Sequence, residues 1–303
     1  MQKLSVLTTS LALVLLSACG SDRQALDNIT GGESATLAGE NSGQPVLPAI
    51  RGVLEGPAKS SAAQVSHYPQ RVALFGDLHV HTENSFDAFA FGSLATPADA
   101  YRYARGEAIP HPVGFDIQLD RPLDFYAVTD HAMLMGVARA AADTDSEVSR
   151  LAVAQPMHNF NRPDNLGWLS LLDRSKAFGL FVPEMARLIR EREVDPELVL
   201  KVTRSTWAEN VKATDEAYVP GELSTFAAYE YTTSTDRRGN LHRNVIFRDT
   251  ERLPSEPFSR LHSQNHEDLW TWMDSLREQG IESLAIQHNS NGSDLSLIHI
   301  RRC

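Results

Sequence analysis

Apolar positions in this chain gather in short runs that stop abruptly at polar clusters, the pattern of buried strands. Such runs fall at 71–76, 124–129, 223–229, 244–247 and 283–287. Helical spacing appears between them. Thr96 followed by Pro97 predicts a helix start, with Ala100, Tyr101 and Ala104 on one face. Asn265 is expected to cap a second helix, striped by Leu269, Trp270, Trp272, Met273 and Leu276, with Glu267 and Asp268 at its start and Gly280 at its end. Strand, helix and strand in succession argue for parallel pairing. Residues 143–219 are mostly helical in pattern and long for one crossover, so they read as an inserted helical subdomain or lid. No internal repeat is visible.

The two ends depart from this pattern. Lys3 precedes an apolar run over 4–16 that is too short for a permanent membrane span, and Ser17, Ala18 and Cys19 follow. That is a signal peptide. Leu16-Ser17-Ala18-Cys19 also resembles a bacterial lipobox, which implies lipidation of Cys19 and a mature chain that starts there. Gly20, in place of the aspartate usual for inner-membrane retention, points to the outer membrane. Residues 20–67 are rich in Gly, Ser, Ala, Asn and Pro and read as a flexible tether, with apolar islands at 46–50 and 53–54 as the material for a small docked strand.

Composition narrows the classes. With 42% hydrophobic and 22% charged residues over 303, the chain can bury a core. Its formal charge of -11 argues against a phosphate-tracking surface, so no nucleic-acid partner is expected. Cys19 and Cys303 are the only cysteines, which excludes a disulfide framework or a thiolate metal site. Any metal must then sit on nitrogen and oxygen, and the eleven histidines are the residues to follow.

Several of them stand at strand ends. The first predicted strand runs into Gly76-Asp77-Leu78-His79-Val80-His81-Thr82, where histidines two apart point to one face. The second ends in Thr129-Asp130-His131, the third in Tyr229-Glu230-Tyr231 and the last in Gln287-His288-Asn289. The carboxyl ends of parallel strands open on one face, so this recurrence converges on a single site. His242 begins its strand, but the turn-rich stretch 234–240 allows a hairpin that returns it to Glu230. Asp87 follows the histidine pair closely enough for its loop to fold back with a carboxylate. Asp130 reads either as a partner orienting a ligating histidine, or a proton acceptor, or as a helix cap. Arg243, Arg102 and Arg105 are candidate anion contacts, weighed against solvated faces paired with Asp99 or Glu107. His67, His111, His158, His262 and His266 lack strand-end context and read as structural.

At these motifs the chain resembles the PHP (polymerase and histidinol phosphatase) superfamily of metal-dependent phosphoesterases. More narrowly it is similar to the DUF3604 group of secreted bacterial proteins, through Gly76 to Thr82, Leu241 to Arg248 and His288 to Asn291. The resemblance implies an α/β fold, a distorted (β/α)7 barrel holding two or three divalent ions of zinc, manganese or iron. His79 and His81 would bind one metal, Glu230 would bridge to a second, and His131, His242 and His288 would complete the cluster, with Asp87 as a further ligand. The nucleophile would be water made acidic by the metals.

The resemblance is incomplete, because the late Asp-x-His of the superfamily has no counterpart after Asn291. The barrel is therefore expected to be incomplete at its C-terminus, over 68–291, with a foreign or frameshifted tail at 292–303 and an inactive, poorly stable chain. The functional expectation is an extracytoplasmic, lipid-anchored metal-dependent phosphoesterase acting on a small-molecule or phosphoester substrate at the bacterial outer membrane. The alternatives are an amidohydrolase-like enzyme acting on an amide or other ester, and a non-catalytic ligand-binding surface lipoprotein.

Overall fold

The computed structural model describes residues 47–56, 71–163, 168–235 and 239–287. The chain is a mixed α/β protein. In order it forms β1 (Val53–Glu55), β2 (Gly76–Val80), α1 (Phe86–Ala90), α2 (Pro97–Ala104), β3 (Ile109–His111), β4 (Phe115–Ile117), β5 (Phe125–Val128) and α3 (Val137–Ala142). Two 3-10 turns, Val148–Arg150 and Ala152–Met157, lead to the long helices α4 (Trp168–Arg190) and α5 (Pro196–Ala217). Then come β6 (Ser224–Thr225), β7 (Ala228–Thr235), β8 (Gly239–Phe247), β9 (Arg252–Pro254), α6 (Glu267–Glu278) and β10 (Ser283–Gln287).

Two small sheets carry the site between them. β2, β5 and β6 pair in parallel, whereas β7, β8 and β10 pair antiparallel. They are continuous across the end of β5. Phe226 N donates to Tyr126 O, Glu230 N to Asp130 O at 3.0 Å, and Ala132 N to Glu230 O at 2.9 Å, with a parallel bridge between His131 and Glu230. The combined sheet curls enough for the Asn244 side-chain amide on β8 to donate to the Leu78 carbonyl on β2 at 2.7 Å. The described strands do not close into the expected (β/α)7 barrel. β10 also meets β8 antiparallel, against the parallel expectation, because the β7–β8 hairpin has already reversed the chain.

Period-two alternation decides what each face does. Tyr229, Tyr231, Leu241, Val245 and Phe247 pack with Trp207 and Val211 of α5 and Leu269, Met273 and Leu276 of α6. Tyr126 and Val128 pack against Ala100, Tyr101 and Ala104 of α2. On the concave side, Ala127, Ala228 and Ile246 meet Leu78 and form the floor under the polar cluster. A third core joins α3 and the 3-10 turns to Phe181, Met185 and Ile189 of α4 and Val199 and Leu200 of α5.

Local signals fix several boundaries. Thr96 and Asp99 form a reciprocal capping box with Pro97 in the first turn of α2. The cap of α6 is His266 rather than Asn265, whose Oδ1 accepts from Glu267 N at 3.4 Å. The first strand begins at Gly76, and Val72, Leu74 and Phe75 before it are exposed. Gly76 is needed for closeness: a Cβ there would lie 2.1 Å from Phe125 O, inside the β2–β5 pairing. Within the stretch expected as a tether, β1 pairs with β9, Leu47 is buried and its N–H bonds Leu261 O at 3.0 Å, so residues 47–56 are docked. The signal segment with Cys19, and His288 with the tail after it, lie outside the described residues. Among the described residues no helix is long and apolar enough to cross a membrane.

Candidate metal centre

Five separate segments bring imidazoles and carboxylates together, at the carboxyl ends of β2 and β5 and near the start of β7, where Glu230 is the third of eight strand residues rather than the strand end expected. In β2 the pairing with β5 shifts register between Asp77 and Val80, and Asp77 Oδ1 accepts from His79 N at 2.9 Å. Val80 packs beside the α2 core and its N–H and C=O bond Thr129, so His79 and His81 project to the other side. His131 and Glu230 are neighbours across the β-bridge. On β8, His242 lies opposite Thr232 and Asn244 opposite Glu230, all on the concave face. Asp87 opens α1, which follows the β2 loop.

The resulting distances are those of ligands around shared cations. His79 Nε2 lies 3.1 Å from His81 Nε2, and Glu230 Oε2 lies 2.8 Å from His81 Nε2 and 3.3 Å from His79 Nε2. Donor atoms on one cation with bonds of about 2.0–2.1 Å stand about 2.9–3.4 Å apart in octahedral or tetrahedral geometry. The other oxygen, Oε1, contacts His242 Nδ1 closely and lies 3.4 Å from His131 Nδ1. Asp87 lies 3.0 Å from His81 Nδ1 through both oxygens and 3.4 Å from His131 Nε2. Three overlapping triads follow: His79, His81 and Glu230; His81, Asp87 and His131; His131, Glu230 and His242. A neutral imidazole gives one nitrogen to one cation, whereas Glu230 directs an oxygen to each side, so Glu230 is the group able to bridge.

The charges agree with that chemistry. Glu230 is wholly buried, whereas His79 is 42% exposed at its side chain, which sets the opening beside His79. Burial by itself would lower the His81 pKa, but hydrogen bonds to Asp87 and Glu230 and their charges reverse this and raise it to about 10. Burial would likewise raise Asp87, yet the His131 and His81 imidazoles beside it hold its carboxyl well below the usual carboxylate range. A cation bound there would take the place of the His81 proton.

The remaining sequence candidates have other places. Asp130, buried, has its pKa raised by desolvation and accepts from Thr82 N at 2.6 Å, Thr82 Oγ1 at 2.8 Å and Asn210 Nδ2 at 2.9 Å. It ties the loop after β2 to α5. Arg243 occupies the opposite face of β8 from His242, buried, with its guanidinium 5.8 Å from the Trp270 ring centre. Strand alternation puts it away from the ligands. Arg102 pairs with Asp99 at 2.9 Å and Glu107 at 3.3 Å, and Arg105 donates to Ala217 O at 2.7 Å.

Sequence reasoning missed Thr232, Ser85 and Phe86. Thr232 Oγ1 lies 2.7 Å from His131 Nδ1 and donates to Glu230 Oε1 at 3.1 Å. Ser85 Oγ donates to Asp87 Oδ1 at 2.6 Å and accepts from His131 N at 3.2 Å. The Phe86 ring stacks on His131 at 4.5 Å and 8°. Only Thr232 had a usable signal, standing two residues beyond Glu230 on the same pleat.

No curated protein and no solved structure matches the chain. Residues 68–299, which include all five segments of the cluster, match the model of a family described as a protein of unknown function (DUF3604). The chain therefore belongs to the DUF3604 family.

Proposed function

We propose that this protein is a metal-dependent hydrolase, a PHP-type phosphoesterase that holds two or three divalent cations and acts outside the cytoplasm. One observation carries the reading: a buried carboxylate, Glu230, aims its two oxygens at separate sets of imidazoles at ligand spacing. His79 and His81 with Glu230 Oε2 would hold one cation. Glu230 Oε1 and His242 would hold a second, and Asp87 and His131 a third. Nitrogen and oxygen donors of this kind suit zinc, manganese or iron, which when bound supply an acidified water and charge neutralisation for a phosphoryl group.

The chain's own groups do the rest. Asp87 holds the far nitrogen of His81 and so fixes which face of that ring is offered. The apolar floor of Leu78, Ala127, Ala228 and Ile246 keeps water from beneath the cluster and leaves the His79 and Asp87 sides as its exposed edges. Asp130 keeps the β2 loop in place. The curl that brings Asn244 to Leu78 supports reading the sheet as part of a distorted PHP barrel. An amidohydrolase reading needs a lysine beside the metals, but Lys201 and Lys212 are solvent-exposed and pair with Glu147 and Glu216. The lipobox at Cys19 supports attachment to the outer membrane.

The test is metal analysis of the full chain followed by a panel of phosphomonoesters, phosphodiesters and amides. We expect more than one equivalent of divalent metal, phosphoester turnover that chelation abolishes, and recovery with manganese or zinc. Turnover of amides alone, or an activity indifferent to chelators, overturns the phosphoesterase reading.

A further inference from the structure

His131 is approached from both sides of its ring. Nε2 faces Asp87 Oδ2 at 3.4 Å, and Nδ1 faces Thr232 Oγ1 at 2.7 Å and Glu230 Oε1 at 3.4 Å. The parallel stack on Phe86 fixes the plane of the ring but not which nitrogen carries the proton. Of these contacts only the one to Thr232 is at hydrogen-bond length. The two at 3.4 Å suit atoms that share a cation better than atoms that share a proton.

The hydroxyl has one proton to give. Its neighbours besides His131 are Glu230 Oε1 at 3.1 Å, a carboxylate that can only accept, and His242 Nδ1 at 3.1 Å. With the hydroxyl proton directed to Glu230, the lone pairs of Thr232 are left for a donor at 2.7 Å, and that donor is His131 Nδ1–H. A chain of hydrogen bonds then runs from His131 through Thr232 to Glu230. Thr232 is almost fully buried, so bulk water does not substitute for it.

We propose that Thr232 is a positioning residue that holds His131 in the Nδ1–H tautomer and leaves its Nε2 lone pair for a cation beside Asp87. This assigns His131 to the Asp87 position and removes it from competition for the Glu230–His242 position, separating triads that overlap when distances alone are considered. The metal consequence rests on the reading of the cluster as a metal centre. The tautomer does not, and it is measurable in the metal-free chain.

The experiment is long-range proton–nitrogen correlation of the full chain with nitrogen-15 histidine, in mildly alkaline buffer, with His131 identified by its loss in His131→Gln. We expect metal-free wild type to show His131 protonated at Nδ1 and bare at Nε2. Thr232→Val should shift His131 toward Nε2–H, and Thr232→Ser should restore the wild-type pattern. In zinc titrations Thr232→Val should weaken one equivalent by about 10–100-fold and leave the others unchanged. A wild-type His131 protonated at Nε2, or a Thr232→Val spectrum identical to wild type at His131, overturns the proposal without any need for the variant to bind metal. Wild type that shows the expected tautomer but takes up no zinc overturns the metal reading and leaves the Thr232 contact supported.

Discussion

His81 shows how two carboxylates act on one imidazole. Asp87 and Glu230 raise its pKa from an ordinary 6.5 to about 10, so in the metal-free protein it is protonated at neutral pH. A raised folded-state pKa gives stability that is complete below about pH 6.5 and lost as pH rises through about 10. A cation needs the bare nitrogen, so metal affinity should rise over that same window. Calorimetry in buffers of different ionisation enthalpy should show about one proton released from His81 near neutral pH and progressively less toward pH 10. Proton release that stays flat over that range would contradict the assignment. Asp130 has a different task at the same scale, since its carboxylate is the shared acceptor of two Thr82 groups and Asn210. Asp130→Ala leaves three buried donors unpaired and should cost about 2–4 kcal/mol in denaturant unfolding. A loss under about 0.5 kcal/mol would mean that the loop does not depend on it.

At the scale of the element, alternation on β8 separates chemistry from packing. His242, Asn244 and Ile246 face the concave side, and Leu241, Arg243, Val245 and Phe247 face the helices. His242→Ala should lower metal content with little loss of stability, whereas Arg243→Leu should lower stability by about 1–3 kcal/mol and leave metal content unchanged. The reverse outcome would mean that the faces are exchanged. Gly76→Ala should be worse than either for the β2–β5 pair, because its Cβ meets the Phe125 carbonyl at 2.1 Å and one strand must move. Strand-end position made His79, His81 and His131 legible from the sequence, Glu230 was found although it stands third in the eight-residue β7 and not at its end, and the turn-rich stretch before His242 disclosed the hairpin. Arg243 misled because adjacency along a strand places side chains on opposite faces. The apolar run before Gly76 misled because Val72, Leu74 and Phe75 stay exposed, so hydrophobicity there does not report burial. β7 was read short because its continuation, Thr232 to Thr235, is polar and carries no apolar alternation. The Ser85 hydroxyl gains chemical meaning only once the fold has placed an imidazole beside it.

For the whole molecule, the cluster is a fastening between segments far apart in the chain. His79 lies near the end of β2 and His81 just after it, Asp87 belongs to α1, His131 follows β5, and Glu230 and His242 lie on the hairpin. The full set of candidate ligands exists only in the folded protein, so each cation it took up would stabilise by mass action, about 2.7 kcal/mol at a free concentration 100-fold above its Kd. For a domain of this size, about 2–4 °C per kcal/mol puts the expected rise in melting temperature at roughly 5–11 °C for each occupied position. Zinc or manganese added to the metal-free full chain should produce that rise, and a chelator should reverse it. The rise should also be larger at pH 8 than at about pH 6.5, because less work is then needed to remove the His81 proton. Glu230→Ala should abolish most of it by removing the bridge, while Arg243→Leu, melting lower from the start, should keep the full increment. Equal increments in wild type and Glu230→Ala would place the bound metal elsewhere on the chain and remove the cluster from the mechanism.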